Sequence, residues 1–208
     1  MFSLQTIFGK GNQFFGLLEE AANAAADSAQ ALHQMLRGSD KAPALDAFRH
    51  ARERERAIAD KINEELVNSF VTALEREDIE ALNSALVRIP KQIERFAERY
   101  ALAVGLLDGI DFAPRAAMLE QATGVVVEMV RDLRRMKLDE MKLRNDRLRS
   151  IESEADRLML ELYRDLYAGR YEGPQMFLIK EFFEILEKAI DRCREAGMVV
   201  FQIVLKNS

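Results

Sequence analysis

The chain has 208 residues, 49% of them hydrophobic and 31% charged, with 10 Gly, 4 Pro, one Cys and no Trp. Its 30 Lys and Arg stand against 35 Asp and Glu, a net charge of -5 that excludes nucleic-acid binding through a generally cationic surface. So few turn formers exclude a sandwich or barrel of many short strands, and a single cysteine excludes an internal disulfide. The composition suits long helices instead, and the length suffices for one well-buried core.

The opening Met1 to Lys10 has no basic start followed by an apolar run of signal-peptide length, and its pattern breaks at Gly9 to Gln13. No stretch of about 18 uncharged apolar residues follows, so the chain reads as cytoplasmic and without a membrane span. A first helix is expected from about Asn12 to Leu36, ended by Gly38 to Pro43. A second carries Ile58, Ile62, Leu66 and Phe70 on one face and stops near Thr72. Glu75, Glu77 and Asp78 supply acids to the start of a third, where the helix dipole favours them. Its stripe is Leu82, Leu86, Ile89, Ile93 and Tyr100, and Pro90 should kink it. Asp108 to Pro114 is the plainest break, with Pro114 near the first position of a fourth helix. A fifth runs through Leu148, Ala155, Leu158, Leu162 and Leu166 to Gly169, and a sixth after Pro174 carries Phe183, Leu186, Ile190 and Cys193. The expected core includes Ile62, Leu66, Leu86, Ile93, Leu158, Leu162, Leu186 and Ile190.

The fold class is therefore all-α, a six-helix bundle in three-plus-three order. Ala59-Asp60-Lys61-Ile62 aligns with Ala155-Asp156-Arg157-Leu158, and Leu86 and Ile89 align with Leu186 and Ala189. This suggests two three-helix repeats, 1–110 and 111–208, within one compact unit.

Two acidic pairs stand out in the second half. Glu152 with Asp156, and Glu187 with Asp191, are each spaced i, i+4 and flank the apolar stripe of their helix. Packed side by side, the two helices would bring four carboxylates into one groove, an oxygen-only site suited to a hard or borderline cation. Glu94/Glu98, Glu128/Asp132 and Glu161/Asp165 share the spacing, so solvated helix faces explain the pattern equally well.

Other carriers of chemistry are missing. His33 and His50 sit in no Glu-x-x-His pair, which argues against a di-iron bundle and leaves both as helix-surface or boundary residues. Cys193 lies on an apolar stripe as a packed thiol. No Gly-rich phosphate loop and no nucleophile elbow occurs, so the chain does not read as an enzyme. Between Arg131 and Arg149 eight basic residues face four acidic ones, which reads first as a solvated helical face and second as a docking patch for an acidic surface.

These residues together resemble the PhoU-like phosphate-transport regulators, in particular the branch of Pit accessory proteins. The resemblance spans nearly the whole chain. It rests on Met1 to Leu4, Phe14-Phe15 and Leu17 to Glu19, on Ala59 to Ile62, on Glu75-Arg76-Glu77-Asp78-Ile79, on Ile151 to Asp156 and on Leu186 to Asp191. It implies a two-repeat helical bundle that is not an enzyme. It further implies action by binding a Pit-type inorganic phosphate transporter at the membrane's cytoplasmic side, without inserting into the membrane, and assembly as a homo-oligomer. It also implies a metal ion (Fe, Mn, Mg or Zn) at Glu152, Asp156, Glu187 and Asp191. The alternative is a metal-free helical adaptor or oligomerisation protein with a different partner.

The first half departs from that pattern. Arg56, Val87 and Lys91 stand where the second half has Glu152, Glu187 and Asp191, and only Asp60 is kept. Added positive charge repels a cation, so at most one metal site per chain is expected, with Arg56, Arg88 or Lys91 neutralising Asp60 in the first groove.

Overall fold

A computed structural model describes residues 4–38 and 45–208, with side chains from residue 12 onward. Six helices follow in order: α1 (Leu4–Arg37), α2 (Asp46–Asn68), α3 (Arg76–Ala103), α4 (Ala113–Asp132), α5 (Leu138–Tyr167) and α6 (Gly173–Lys206). Single 3-10 turns cover Val104–Leu106 and Leu133–Arg135, and no strand occurs among the described residues. Helix α1 starts at Leu4 and runs through Gly9 and Gly11, earlier than the sequence pattern suggested. An interior glycine costs only about 1 kcal/mol, which does not interrupt a helix of 34 residues. The expected turn at Ser39 to Pro43 lies outside the described residues.

Helices α1 and α4 pack on each other, and each reaches across to the row α2, α3, α6, α5, in which α3 and α6 lie side by side. The buried side chains form a continuous core that draws on all six helices. Ile62, Leu86, Ile93, Leu186 and Ile190 are buried in it, as their spacing implied. Leu66 and Leu162 are partly buried against it. Leu158 is half-exposed, because α5 turns Met141, Leu148, Ala155, Met159 and Leu166 inward. That set advances by sevens and fours, so Met159, not Leu158, follows Ala155. Phe70 is fully exposed rather than part of the α2 stripe. Helix α2 ends at Asn68, where the Arg76 guanidinium donates to the free carbonyls of Leu66 and Ser69.

The break expected between Leu107 and Pro114 is a built connection. Gly109 takes φ +80, a conformation that suits glycine, and the Asp111 carboxylate accepts from the Ala113 amide at 2.9 Å where α4 begins. Phe112 in this connection packs against Phe96, Phe182 and Phe183, with centroid separations of 5.6, 5.9 and 4.7 Å. These rings lock α3, the connection and α6 into one aromatic cluster. Helix α3 runs unbroken through the buried Pro90.

Two arginines of the basic segment tie helices together, and others pair locally. Arg134 reaches Glu19 of α1 at 2.8 Å, Arg144 of α5 reaches Asp132 of α4 at 2.5 Å, and Lys137 pairs with Glu140 at 2.8 Å. Met136, between α4 and α5, takes the left-handed conformation (φ 49) that ends the preceding turn.

Candidate functional site

Helices α5 and α6 run antiparallel from the Gly169–Glu172 turn, which brings the face of α5 carrying Asp156 and Tyr163 against the face of α6 carrying Glu184, Glu187 and Lys188. These side chains, with Met159 and Leu160, line a cleft of about 590 Å³. Burial pushes the Glu187 carboxyl up to about 7, and the charges of Asp191 and Asp156 add to the rise. Asp191 is raised for the same reasons, burial first and Asp156 second. Burial and crowding push both α6 acids toward the protonated form, so around neutral pH the raised Glu187 carboxyl holds a proton part of the time and offsets some of the crowded negative charge. Lys188 favours the ionised form of both acids, but its effect ranks below burial and carboxylate repulsion.

Three of the four acids singled out by spacing, Asp156, Glu187 and Asp191, therefore share one electrostatic neighbourhood. Glu152 does not join it: one turn before Asp156 and half-exposed, it makes no hydrogen bond or ion pair among the described residues. Two groups at the cleft were not foreseen from the sequence. Tyr163 donates to the Glu184 carboxylate at 2.7 Å, which helps push the phenol up to about 12, and Lys180 pairs with Glu184 at 2.7 Å. Arg157 does not screen the trio, since its guanidinium is bound to Glu154 and Glu161. Arg192 is committed to Glu195 at 2.6 Å.

As a donor set, three carboxylates suit a hard divalent cation, and the raised Glu187 and Asp191 carboxyls mark where positive charge is needed. Among the described residues, no three His, Cys, Asp or Glu side chains close on one point as a formed metal centre requires. Asp156, Glu187 and Asp191 would hold a cation only by displacing the proton that the raised Glu187 carboxyl holds.

The first half is built differently. The expected neutralisation of Asp60 by Arg56, Arg88 or Lys91 does not occur: Asp60 is exposed, and Arg88 faces Glu195 at 3.7 Å. The internal cation is Arg52, whose side chain is 8% exposed and sits between Glu55 of α2 and Glu94 of α3, the latter at 3.0 Å. Glu55 is the more deeply buried acid, its Oε1 has no hydrogen-bond partner, and burial raises its carboxyl against the opposing pull of Arg52 and Arg56. In Arg52-Glu53-Arg54-Glu55-Arg56 the charges alternate without an apolar period, so only tertiary packing reveals which two turn inward.

His33 of α1 meets Glu120 of α4 at 2.5 Å, and His50 is exposed beside Glu53. Cys193 is fully buried, its thiol pushed up by burial and donating to the Ala189 carbonyl at 3.3 Å, as its place on the apolar stripe implied.

No protein-family profile and no curated protein matches the chain. Two solved structures from Shewanella oneidensis MR-1 share its fold. A PhoU-like protein superposes with a TM-score of 0.78 at 15% identity, over 93% of this chain and 99% of its own. A second PhoU-like protein, named for phosphate regulation, gives 0.77 at 18% identity over the same shares. The chain has the all-α bundle of these proteins along nearly its full length. Among the described residues no helix is long and apolar enough to cross a membrane.

Proposed function

We propose that this protein is a PhoU-like, non-enzymatic regulator of phosphate uptake that works by docking to the cytoplasmic side of an inorganic phosphate transporter of the Pit type. The observation that carries the reading is the fold shared over 93% of the chain with two PhoU-like proteins, one of them named a phosphate regulatory protein. The cleft agrees with a binding role: it presents paired acids but no nucleophile beside a base and no oxyanion-stabilising pair. Its three-helix halves, 1–110 and 111–208, are read as a duplication in which the second kept its acidic groove.

In this reading Asp156, Glu187 and Asp191 hold one divalent cation, with Glu152 joining by a rotamer change, and the cation supplies fixed positive charge that clamps α5 to α6. Metal analysis after incubation with Fe, Mn, Mg or Zn tests it. Asp156→Ala with Asp191→Ala should abolish loading, and Asp60→Ala should leave it intact. Loss on Asp60→Ala, or no metal in the parent, rejects the site. Co-purification with a Pit-type transporter tests the partner.

A second reading, a metal-free helical adaptor or homo-oligomer, draws on two observations. The charge of the α6 acids is already partly offset by a proton, and large apolar side chains stand exposed at the hairpin ends, with Val67 at 85%, Phe70 at 101% and Phe177 at 63%. A metal-free parent whose self-association weakens on Phe70→Ser would favour it.

A further inference from the structure

Helix α3 places Arg88, Lys91 and Arg95 at i, i+3 and i+7, which puts all three on one face within two turns. With Gln92 they line a groove of about 540 Å³ bounded by Arg192 of α6. Much of the neighbouring acid is already engaged. Glu94 is held by Arg52 at 3.0 Å, and Glu195 is held by Arg192 at 2.6 Å with Arg88 farther off at 3.7 Å. Lys91 and Arg95 have no hydrogen-bond or ion-pair partner among the described residues. Glu98 also lines the groove, one turn past Arg95, without pairing to it. Lys91 and Arg95 are both exposed and, as like charges at i, i+4, repel each other, a repulsion that an anion between them would remove.

The lining also selects the kind of anion. Every side chain that lines the groove is charged or a primary amide, so its apolar surface comes from the stems of these side chains and not from an aromatic or branched aliphatic residue. A protein partner gains most of its affinity from buried aromatic and aliphatic anchors, and the groove's side chains offer no aromatic or branched aliphatic counterpart to one. Planar guanidinium forks on two sides, with an ammonium between them, suit a compact oxyanion that carries several acceptors and more than one charge.

We propose that the α3–α6 groove is a binding site for a small phosphate-class oxyanion, with Arg88, Lys91 and Arg95 as its main ligands and Arg192 as its opposite wall. The site goes beyond the regulatory reading and does not use the α5–α6 cation, so it is tested on chelator-treated protein and stands or falls separately. Titration calorimetry of the full chain with inorganic phosphate and with pyrophosphate, at ionic strength fixed with chloride, should give saturable binding of at least one. The two arms separate a free phosphate from a diphosphate group.

Lys91→Glu with Arg95→Glu should weaken the binding by about ten-fold or more, and Lys91→Ala with Arg95→Ala, a gentler pair of changes, should weaken it in the same direction. Lys142→Glu with Arg149→Glu, on the exposed side of α5, should leave it unchanged. The proposal is overturned by a lack of saturation up to about 10 mM of either anion. It is also overturned by equal weakening from the α5 reversals, which would mean a diffuse charge effect. Binding of an acidic peptide but of neither phosphate would overturn it too, and would assign the groove to a protein segment.

Discussion

Arg52→Met is the substitution whose cost the structure sets most directly. The Arg52 side chain is 8% exposed and the Glu55 side chain 1%, so removing the guanidinium strands a buried carboxylate whose Oε1 already lacks a partner. Breaking a buried pair in this way costs about 3 to 5 kcal/mol. For a chain of this size each kcal/mol lowers Tm by about 2 to 4 °C, so the variant should melt about 6 to 20 °C below the parent. The deficit should depend on pH. The Glu55 carboxyl is raised by burial and pulled down chiefly by Arg52, so losing Arg52 lifts it further. A carboxyl raised in the folded state binds its proton more tightly there than in the unfolded chain, so stability falls as pH rises between the two values. The Arg52→Met deficit should accordingly be smaller at about pH 5 than at about pH 8. Adding Glu55→Leu should recover most of the loss, because an apolar replacement of a buried pair is often neutral and Glu94 can reach water. Thermal melts followed by circular dichroism at both pH values check this. An Arg52→Met Tm within about 1 °C of the parent, or a double variant no better than the single, would refute the buried-network account.

Gly197→Ala should destabilise the fold by about 1 to 2 kcal/mol despite alanine's better helix propensity, because the new methyl would sit 2.3 Å from Leu148 Cδ1 in a packed core; chemical denaturation measures it. Phe112→Ala should cost about 3 to 5 kcal/mol, since it empties the centre of the aromatic cluster, and a matched decrease in near-ultraviolet circular dichroism would accompany it. Glu187→Gln should flatten the pH dependence of stability in chelator: the parent's Glu187 rises from 4.5 to about 7 on folding, so the parent loses stability as pH climbs through that window. Above it the variant should be more stable by about 1 to 2 kcal/mol, the half-exposed position being partly screened by solvent, and a parent whose stability stays flat there would contradict the buried acid pair.

The helices were legible where one physical signal dominated. The periods of α3 and α6 place Leu82, Leu86, Ile89, Leu186 and Ile190 inward, and all are buried, because a wide apolar stripe leaves only one face able to pack. The α5 face differs in part from the expected one because Leu158, Met159 and Leu162 are all apolar and nearly adjacent, and only packing of α5 against α4 and α6 selects Met159. Phe70 looked like the next turn of α2, but the helix end is set by Arg76, six residues on, reaching back to its carbonyls. Such a contact has no local spacing to betray it. The acidic trio was found from i, i+4 spacing, yet the same spacing occurs at Glu94/Glu98, where Glu94 serves Arg52 and Glu98 lines the basic groove. Spacing identifies which carboxylates share a helix face; it does not say what faces them across the interface.

What faces them differs in kind between the two halves. In the α2–α3 interface the carboxylates of Glu55 and Glu94 are balanced by a guanidinium carried on the chain itself, and arginine stays protonated at any ordinary pH. That guanidinium cannot exchange with solution, although burial still raises the Glu55 carboxyl beside it. In the α5–α6 interface burial and carboxylate repulsion raise the Glu187 and Asp191 carboxyls, so near neutral pH part of their charge is offset by protons that solution supplies or withdraws. Both halves thus solve the same electrostatic problem, acids drawn toward a helix interface, but the first does so with a covalently attached charge and the second with a mobile one. A response to cations built into these interfaces is therefore expected in α5 and α6, while in α2 and α3 pH acts through Glu55, whose raised carboxyl Arg52 already pulls down.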